Sequence, residues 1–467
     1  MNRLTVVILA AGEGKRMRSR QPKVLHQLCG RPLLGYPLRV ARALGDRIVL
    51  VHGPNAERVV AFAGADVRSV EQRARLGSGH AVLQAKEACG PAGGLILVLP
   101  GDMPLLTAET IERLIGHHVK TSAAATVLTA IVPQPTGYGR VLRQGGKVKR
   151  IVEERDATDD EKKVAEINTS VYCFDAKRLW PALAKVRPDN DQGEHYLTDV
   201  IGILARDGAR VEALAARDAA EGNGVNDRKQ LAAAAAILRG RILDRLMENG
   251  VTVLDPATTY VDDTVTIGPD TVVHPQVSIE GATTIGSECV IASGCHISGS
   301  TLGDAVRLLP YCVLTDSVVE DEARLGPFCH LRPASHIGAG AHIGNFVEIK
   351  KSKIGRRSKA NHLAYVGDAM VGDDVNIGAG AITCNYDGFN KHPTTIGAGA
   401  FVGTNVSMVA PITIGAGAYV AAGSTVTKDV PEDALAVERS PQTVRDGWAE
   451  GWRRKNGASK KKKKEKA

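Results

Sequence analysis

The chain is poor in aromatic residues and has no apolar run long enough to cross a bilayer. Only 4% of its 467 residues are Phe, Trp or Tyr, which excludes a core of large rings and points to one of small aliphatics. Nothing approaches the ~18 consecutive apolar residues of a membrane helix. The apolar start, residues 4–11, is short, follows a single Arg3 and runs directly into GEGKRMRSR with no cleavage-like exit. It reads as a buried strand, not a secretion signal. The eight Cys (29, 89, 173, 289, 295, 312, 329 and 384) show no CxxC and no metal-type spacing, the pattern of reduced core thiols in a reducing, cytoplasmic compartment. A charge imbalance on the folded body is also missing. Residues 460–466, six Lys and one Glu, carry +5 of the formal +8, and Arg453, Arg454 and Lys455 supply the remaining +3. A near-neutral body argues against nucleic acid as a partner and leaves a basic tail, residues 453–467, expected to be disordered.

What is abundant is Gly, 50 residues, and a change of texture near residue 250. In residues 1–226, short apolar runs (4–9, 47–51, 95–99, 125–132) alternate with amphipathic stretches (33–44, 108–118). This is the signature of an α/β domain with a mainly parallel, Rossmann-like sheet covered on both faces. Residues 227–250 combine strong helix formers with apolar residues at Leu231, Leu238, Ile242 and Leu246 before Gly250, and read as a linker helix.

In residues 251–452 aliphatics recur every six positions: Val261, Ile267, Val273, Ile279, Ile285, Ile291, Ile297. After a one-residue slip and an irregular stretch the period returns at Leu325, Leu331, Ile337, Ile343, Ile349, and again at Ile396, Val402, Met408, Ile414, Val420, Val426. Six fits neither the helical period of 3.6 nor the strand period of 2. It fits a coil with three flat sides of six residues, each sending one side chain to the axis. The pattern resembles the hexapeptide-repeat acyltransferases, which implies a left-handed parallel β-helix and assembly as a homotrimer. The polar stretch 383–395 breaks the period and is expected to be thrown out as a binding loop.

The first strand runs into LAAGEGKRM (9–17) and then QPKVLH (21–26). Gly12 and Gly14 allow a sharp turn that turns backbone N–H groups toward an anion, and Arg16 and Lys23 add positive charge for phosphates. There is no GxxxxGK[ST], and Met17 stands where GxGxxG needs its third Gly, so P-loop and dinucleotide fingerprints both fail. A GxG after a strand is equally compatible with a structural turn. With Arg16, Met17 and the Pro22-Lys23 pair, the string resembles the signature of nucleotidyltransferases that join NTPs to sugar 1-phosphates. LGSGHA (76–81) offers a second small-residue loop, and the Gln72 amide before it is placed to read a pyrimidine edge. Asp102, after the apolar run 95–99, stands where open α/β sheets bind ligands. One carboxylate with phosphate oxygens is a common Mg²⁺ set.

In the second half, amide formation from a thioester needs a base to unmask the amine. His362 has the right range, although a lone His is more often a hydrogen-bonded structural residue. Cys384 suggests covalent acyl transfer, but a direct base makes it unnecessary.

Further strings are PTGYGRV, IVEERDAT, EINT, GVNDR, LRP, GNFVEIKKS, NHLAYVGDA, NIGAGAITCNYDG and Arg439. With these, nearly the whole chain resembles the bifunctional bacterial enzymes of UDP-N-acetylglucosamine synthesis, which feed peptidoglycan and lipopolysaccharide formation. That resemblance implies acetyl transfer from acetyl-CoA to glucosamine 1-phosphate in the C-terminal domain. Uridylyl transfer from UTP to N-acetylglucosamine 1-phosphate then follows in the N-terminal one. It assigns Leu9, Ala10, Ala11, Gly12, Gln72, Gly77 and Ser78 to the UTP base and ribose, Arg16 and Lys23 to phosphates and catalysis, and Asp102 and Asn226 to Mg²⁺. Gly139, Glu153 and Asn168 go to the sugar. Arg332, Lys350, Tyr365 and Asn376 go to glucosamine 1-phosphate, with His362 as general base. Ala379, Thr404, Ala422 and Arg439 go to acetyl-CoA, and Asn385 and Tyr386 to one or other of those two substrates. Two departures stand out: Pro100 where these enzymes carry Tyr before Gly-Asp, and Thr404 where they more often carry Ser. Two other readings stay open on the residues alone, an enzyme with only the N-terminal activity on a trimerising scaffold and a non-catalytic assembly subunit.

Overall fold

The structure, a computed structural model, describes residues 3–90 and 93–464. It divides into two units: residues 1–249 with 260–265 and 279–281, and the remainder from residue 250 onward.

The first unit is built on a twisted sheet. Its strands are β1 (Leu4–Ala10), β2 (Arg47–His52), β3 (Arg68–Glu71), β4 (Leu95–Pro100), β5 (Ala125–Ile131), β6 (Arg140–Gln144), β7 (Lys147–Val152), β8 (Glu166–Asp175) and β9 (Val211–Ala215). The sheet order is β9–β5–β8–β4–β1–β2–β3, with the β6–β7 hairpin attached to β8. Successive residues of β1 face opposite sides: Val7 joins one core cluster with Val49, Val51 and Val98, whereas Val6 and Ile8 join the other with Leu50, Leu97 and Leu99. Two covered faces explain why the strands read as unbroken aliphatic runs. Helices α1 (Gly35–Leu44), α2 (Ser78–Gln84) and α3 (Ala108–Thr121) cover the sheet, and Thr107 caps α3 by accepting from the Thr110 backbone N–H. The sheet is less uniform than the apolar runs suggest, because β8 lies antiparallel to both β4 and β5. Its register shifts between Asn168 and Tyr172, and a bulge of this kind re-aims a side chain. The unit closes with α4 (Arg228–Glu248), whose N-cap Asp227 accepts from Gln230 N–H.

The second unit is a coil of short parallel strands in three sheets of eleven, ten and nine strands. One residue in six points to the axis, and Ile291, Ile297, Leu325, Leu331, Ile343, Ile349, Val402 and Met408 are fully buried there. The stretch that looks irregular in sequence is regular in space. Leu302 pairs with Val319 and Val319 with Ile337, so one side of certain coils is a residue shorter while the axial column continues. Thr383 takes the axial place where an aliphatic is expected. Its hydroxyl accepts from Gly367 N–H at 2.8 Å, which satisfies the buried oxygen. The expected loop leaves just after it and returns at the strand Thr394–Ile396.

The tail departs from its expected disorder. Residues Trp448–Lys464 form a helix, and residues 465–467 lie outside the described part. Ala, Arg and Lys are good helix formers, the Glu450–Arg454 ion pair spans one turn at 2.7 Å, and Trp448 stacks on Trp452. All eight Cys are free thiols; Cys29 and Cys384 are partly exposed and the other six buried.

The axial column makes a stability prediction. Truncating the fully buried Ile343 to Ala should cost about 2–5 kcal/mol, read as a lower denaturant midpoint of the second unit. Ile343→Val should cost about 1 kcal/mol.

Candidate active sites

At the C-terminal edge of the first sheet, β1, β2 and β4 end level: Leu9 pairs with both Val51 and Pro100. The loops leaving those ends enclose a cavity of about 720 Å³. Leu9–Gly12, Lys23, Gln72, Gly77, Ser78, Asp102, Gly139, Glu153, Asn168 and Asn226 all line it. Sequence reasoning named each of these.

Local structure explains how they meet. Gly14 is left-handed (φ 65°), and a Cβ there would lie 2.5 Å from Lys23 Cβ, so only Gly lets the turn close on Lys23. Gly12 makes no such demand, because an added Cβ there meets nothing within 4 Å. Gly77 (φ 104°) packs against the His195 backbone. Lys23 Nζ donates to Asp102 Oδ2 and, at 3.0 Å, to Asn226 Oδ1. The Val225 N–H bonds the Asp102 carbonyl at 2.9 Å and holds the Asn226 loop to the end of β4. Two oxygens thus converge on one cation. The bulge in β8 leaves Asn168 only 4% exposed, with Oδ1 accepting from Ser170 N–H. Glu153 accepts from the Thr198 hydroxyl at 3.1 Å, and burial pushes its carboxyl above the usual range.

Arg16 is the exception. It sits exposed on the 3-10 turn Lys15–Met17 and does not line the cavity, whereas its neighbour Lys15 does. Sequence reasoning also missed Arg75, whose Nε donates to the Ala11 carbonyl at 2.9 Å and which pairs with Glu13, and Tyr138 on the cavity wall. Arg75 lies just before the LGSGHA string, but nothing in its spacing announces a bond to residue 11. No group of three or more His, Cys, Asp or Glu is gathered among the described residues. One carboxylate and one amide oxygen still fit a hard divalent cation whose other ligands come from phosphates and water.

In the second unit the ladder brings the predicted residues into rows. His362 pairs with Asn345 on the preceding coil, and its Nδ1 lies 2.7 Å from Asn345 Oδ1. The amide oxygen accepts the Nδ1 proton, which leaves the Nε2 lone pair free. The row continues from coil to coil. Gly380 N–H points to the His362 carbonyl, Asn405 N–H bonds the Ala379 carbonyl at 2.8 Å, and Gly423 N–H bonds the Thr404 carbonyl at 2.8 Å. Arg439 Nη1 then donates to the Ala422 carbonyl at 3.0 Å. The residues assigned to acetyl-CoA therefore form one line that starts at His362. Around the corner, Arg332 N–H bonds the Ile349 carbonyl, which sets Arg332 beside Lys350; Arg332 also pairs with Glu348 at 2.9 Å. Tyr365 pairs with Glu348 in the ladder and its hydroxyl meets Asn385, whose Nδ2 donates to Asp368 at 2.6 Å. Tyr386 is exposed on the loop beneath Lys391. Asn376 is in register with Lys359 and Phe401, at the opposite end of its strand side from the His362 corner. Glu348, Asn345 and Asp368 were not singled out from sequence, although the first two lie within GNFVEIKKS.

Residues 6–199 match the MobA-like NTP transferase domain, and residues 264–299, 316–351 and 393–428 match the bacterial transferase hexapeptide (six repeats). Among curated proteins the chain is 47% identical to the bifunctional protein GlmU of Geotalea uraniireducens over 96% of this chain and 99% of that one. It is 48% identical to that of Pelobacter propionicus (96% and 98%) and 48% identical to that of Shouchella clausii (95% and 98%). With both halves matched and the likeness running nearly end to end, the chain belongs to the family of bifunctional GlmU proteins.

Proposed function

We propose that the two sites run consecutive reactions of UDP-N-acetylglucosamine synthesis. The second unit acetylates glucosamine 1-phosphate from acetyl-CoA; the first transfers a uridylyl group from UTP to the N-acetylglucosamine 1-phosphate so formed. The observation that carries the reading is that residues scattered over more than two hundred positions meet in one cavity, while a second set lines up along one β-helix corner from His362 to Arg439.

In the second unit, Arg332 and Lys350 hold the phosphate of glucosamine 1-phosphate, and Tyr365, Asn376 and Asn385 position the sugar. His362 takes the proton from the amine at Nε2 while the nitrogen attacks the thioester carbonyl. The C–N bond forms, the C–S bond breaks, and coenzyme A leaves as the thiol. Ala379, Thr404, Ala422 and Arg439 carry the rest of the acyl donor, with Tyr386 at its reactive end. The methyl of Thr404, which is exposed on the corner, is accommodated without a clash into the core.

In the first unit, Gln72, Gly77 and Ser78 take the uracil, and Leu9–Gly12 the ribose and phosphates. Glu153 and Asn168 bind the N-acetylated sugar, with the Gly139 backbone beside them. An oxygen of the sugar 1-phosphate attacks the α-phosphorus in line, the bond to the β-phosphate oxygen breaks, and pyrophosphate departs. Lys23 neutralises charge as it develops there, and Arg16 reaches the outer phosphates from its exposed turn. Asp102 and Asn226 would hold Mg²⁺, which when bound supplies further charge neutralisation on the phosphates.

The row of exposed Tyr311, Phe328, Phe346 and Leu363 supports a homotrimer. These residues stack along the same β-helix corner, the rings 5.2 and 5.3 Å apart, an apolar stripe that second copies of the chain would cover. No helix among the described residues is long and apolar enough to cross a membrane, and the free thiols suit a reducing cytoplasm.

Asp102→Ala should lower uridylyl transfer at least ~100-fold and leave acetyl transfer unchanged, while His362→Ala should lower acetyl transfer about 10²–10⁴-fold and spare the other. Pyrophosphate and thiol release assays read the two steps separately; loss of both by one change would refute independent sites. Chelation of divalent cations should stop pyrophosphate release only. Sedimentation of the intact chain should give a trimer, and Phe346→Asp should dissociate it.

A further inference from the structure

The buried Gln72, 3% exposed, is held by more than the cavity needs. Its Nε2 lies 3.1 Å from the Gly77 carbonyl oxygen and 3.0 Å from His80 Nδ1. A carbonyl oxygen only accepts, so the nitrogen of this amide must face Gly77, and Oε1 is the atom left for a ligand. The second proton on Nε2 goes to His80, whose Nδ1 must then be unprotonated and whose single ring proton must sit on Nε2. That nitrogen lies 3.1 Å from Gln84 Nε2; a neutral ring cannot accept at both nitrogens, so with Nδ1 committed to Gln72 the half-buried Gln84 amide turns its Oε1 to the ring and takes the proton. His80 and Gln84 lie on helix α2, whose geometry spaces them one turn apart, and Gln72 follows strand β3. Burial, followed by the neighbouring His195 ring 6.4 Å away, lowers the His80 pKa and so favours the neutral ring this chain of bonds requires.

We propose that His80 is a positioning residue for base choice: neutral and protonated on Nε2, it locks the Gln72 amide so that Oε1 faces the base and accepts the uracil N3–H. This rests on the reading of Gln72 as the residue that meets uracil. Cytosine presents a lone pair at N3, which would face the lone pairs of Oε1, so the locked amide rejects CTP as well as accepting UTP. Without His80 only the Gly77 carbonyl opposes rotation, so the amide turns more readily and offers its N–H groups to cytosine.

The test is the ratio of kcat/KM for UTP over CTP, measured with N-acetylglucosamine 1-phosphate. His80→Leu should lower that ratio about 10- to 100-fold, through KM for the nucleotide and not KM for the sugar. His80→Asn, whose Oδ1 can accept where Nδ1 did, should restore most of it. A ratio within about twofold of the parent in His80→Leu, or no rescue by Asn, overturns the proposal. If the parent enzyme uses CTP as readily as UTP, the assignment of Gln72 to uracil fails instead. Should His80→Leu not fold, ¹⁵N spectra of the parent decide: a proton on His80 Nε2 supports the lock, and one on Nδ1 overturns it.

Discussion

Both units depend on one constraint, the parallel register of backbone ladders. In the first, β1, β2 and β4 run the same way and end level, so the loops from three distant stretches open on the same side. In the second, each coil bonds to the next through several backbone N–H groups, and any residue lies directly beside its counterpart on the following coil. Register therefore converts a repeat in sequence into a row in space. Asn345 meets His362, and Arg332 meets Lys350, with no long-range specification beyond coil length. A one-residue error would turn axial Ile or Leu outward and bury polar neighbours, a cost large enough to keep the rows in place.

Charge is handled differently in the two places. In the first cavity Lys23, Asp102 and Asn226 form a compact group in which the ammonium already sits between two oxygens. The two oxygens that receive the ammonium are the ones proposed above to hold a divalent cation. On the β-helix, Arg332 and Lys350 stand on neighbouring coils, and only Arg332 has a carboxylate partner, Glu348, among the described residues. Two cations one strand spacing apart repel each other, which suits the pair to the anion proposed for it.

Much of this was legible in the sequence because it depended on short strings. LAAGEGKRM, LGSGHA and GVNDR each carry their own turn chemistry, and the strands that deliver them are unbroken aliphatic runs. The six-residue period was visible because axial positions tolerate little but aliphatics. What stayed hidden depends on space. The shortened sides at Leu302 and Val319 look like lost periodicity until the ladder shows the column continuing. Thr383 violates the aliphatic rule and is satisfied by the Gly367 and Tyr365 backbone on the preceding coil. The antiparallel placement of β8 leaves no mark on its composition. Arg16 and Lys15 are indistinguishable by charge, and only the turn geometry decides which of them faces the cavity. His80 and Asn345 act through a neighbour's orientation, which no spacing rule encodes.

The row from His362 through Ala379 and Thr404 to Ala422 advances by one strand spacing, about 4.8 Å, per coil. The β-helix is thus a ruler whose divisions are whole coils. An insertion such as the loop after Thr383 alters the scenery beside the scale but not its graduations, since Thr394–Ile396 resumes the ladder. Only the gain or loss of an entire coil would change the distance between His362 and Arg439, so the span of the row is quantised by the fold.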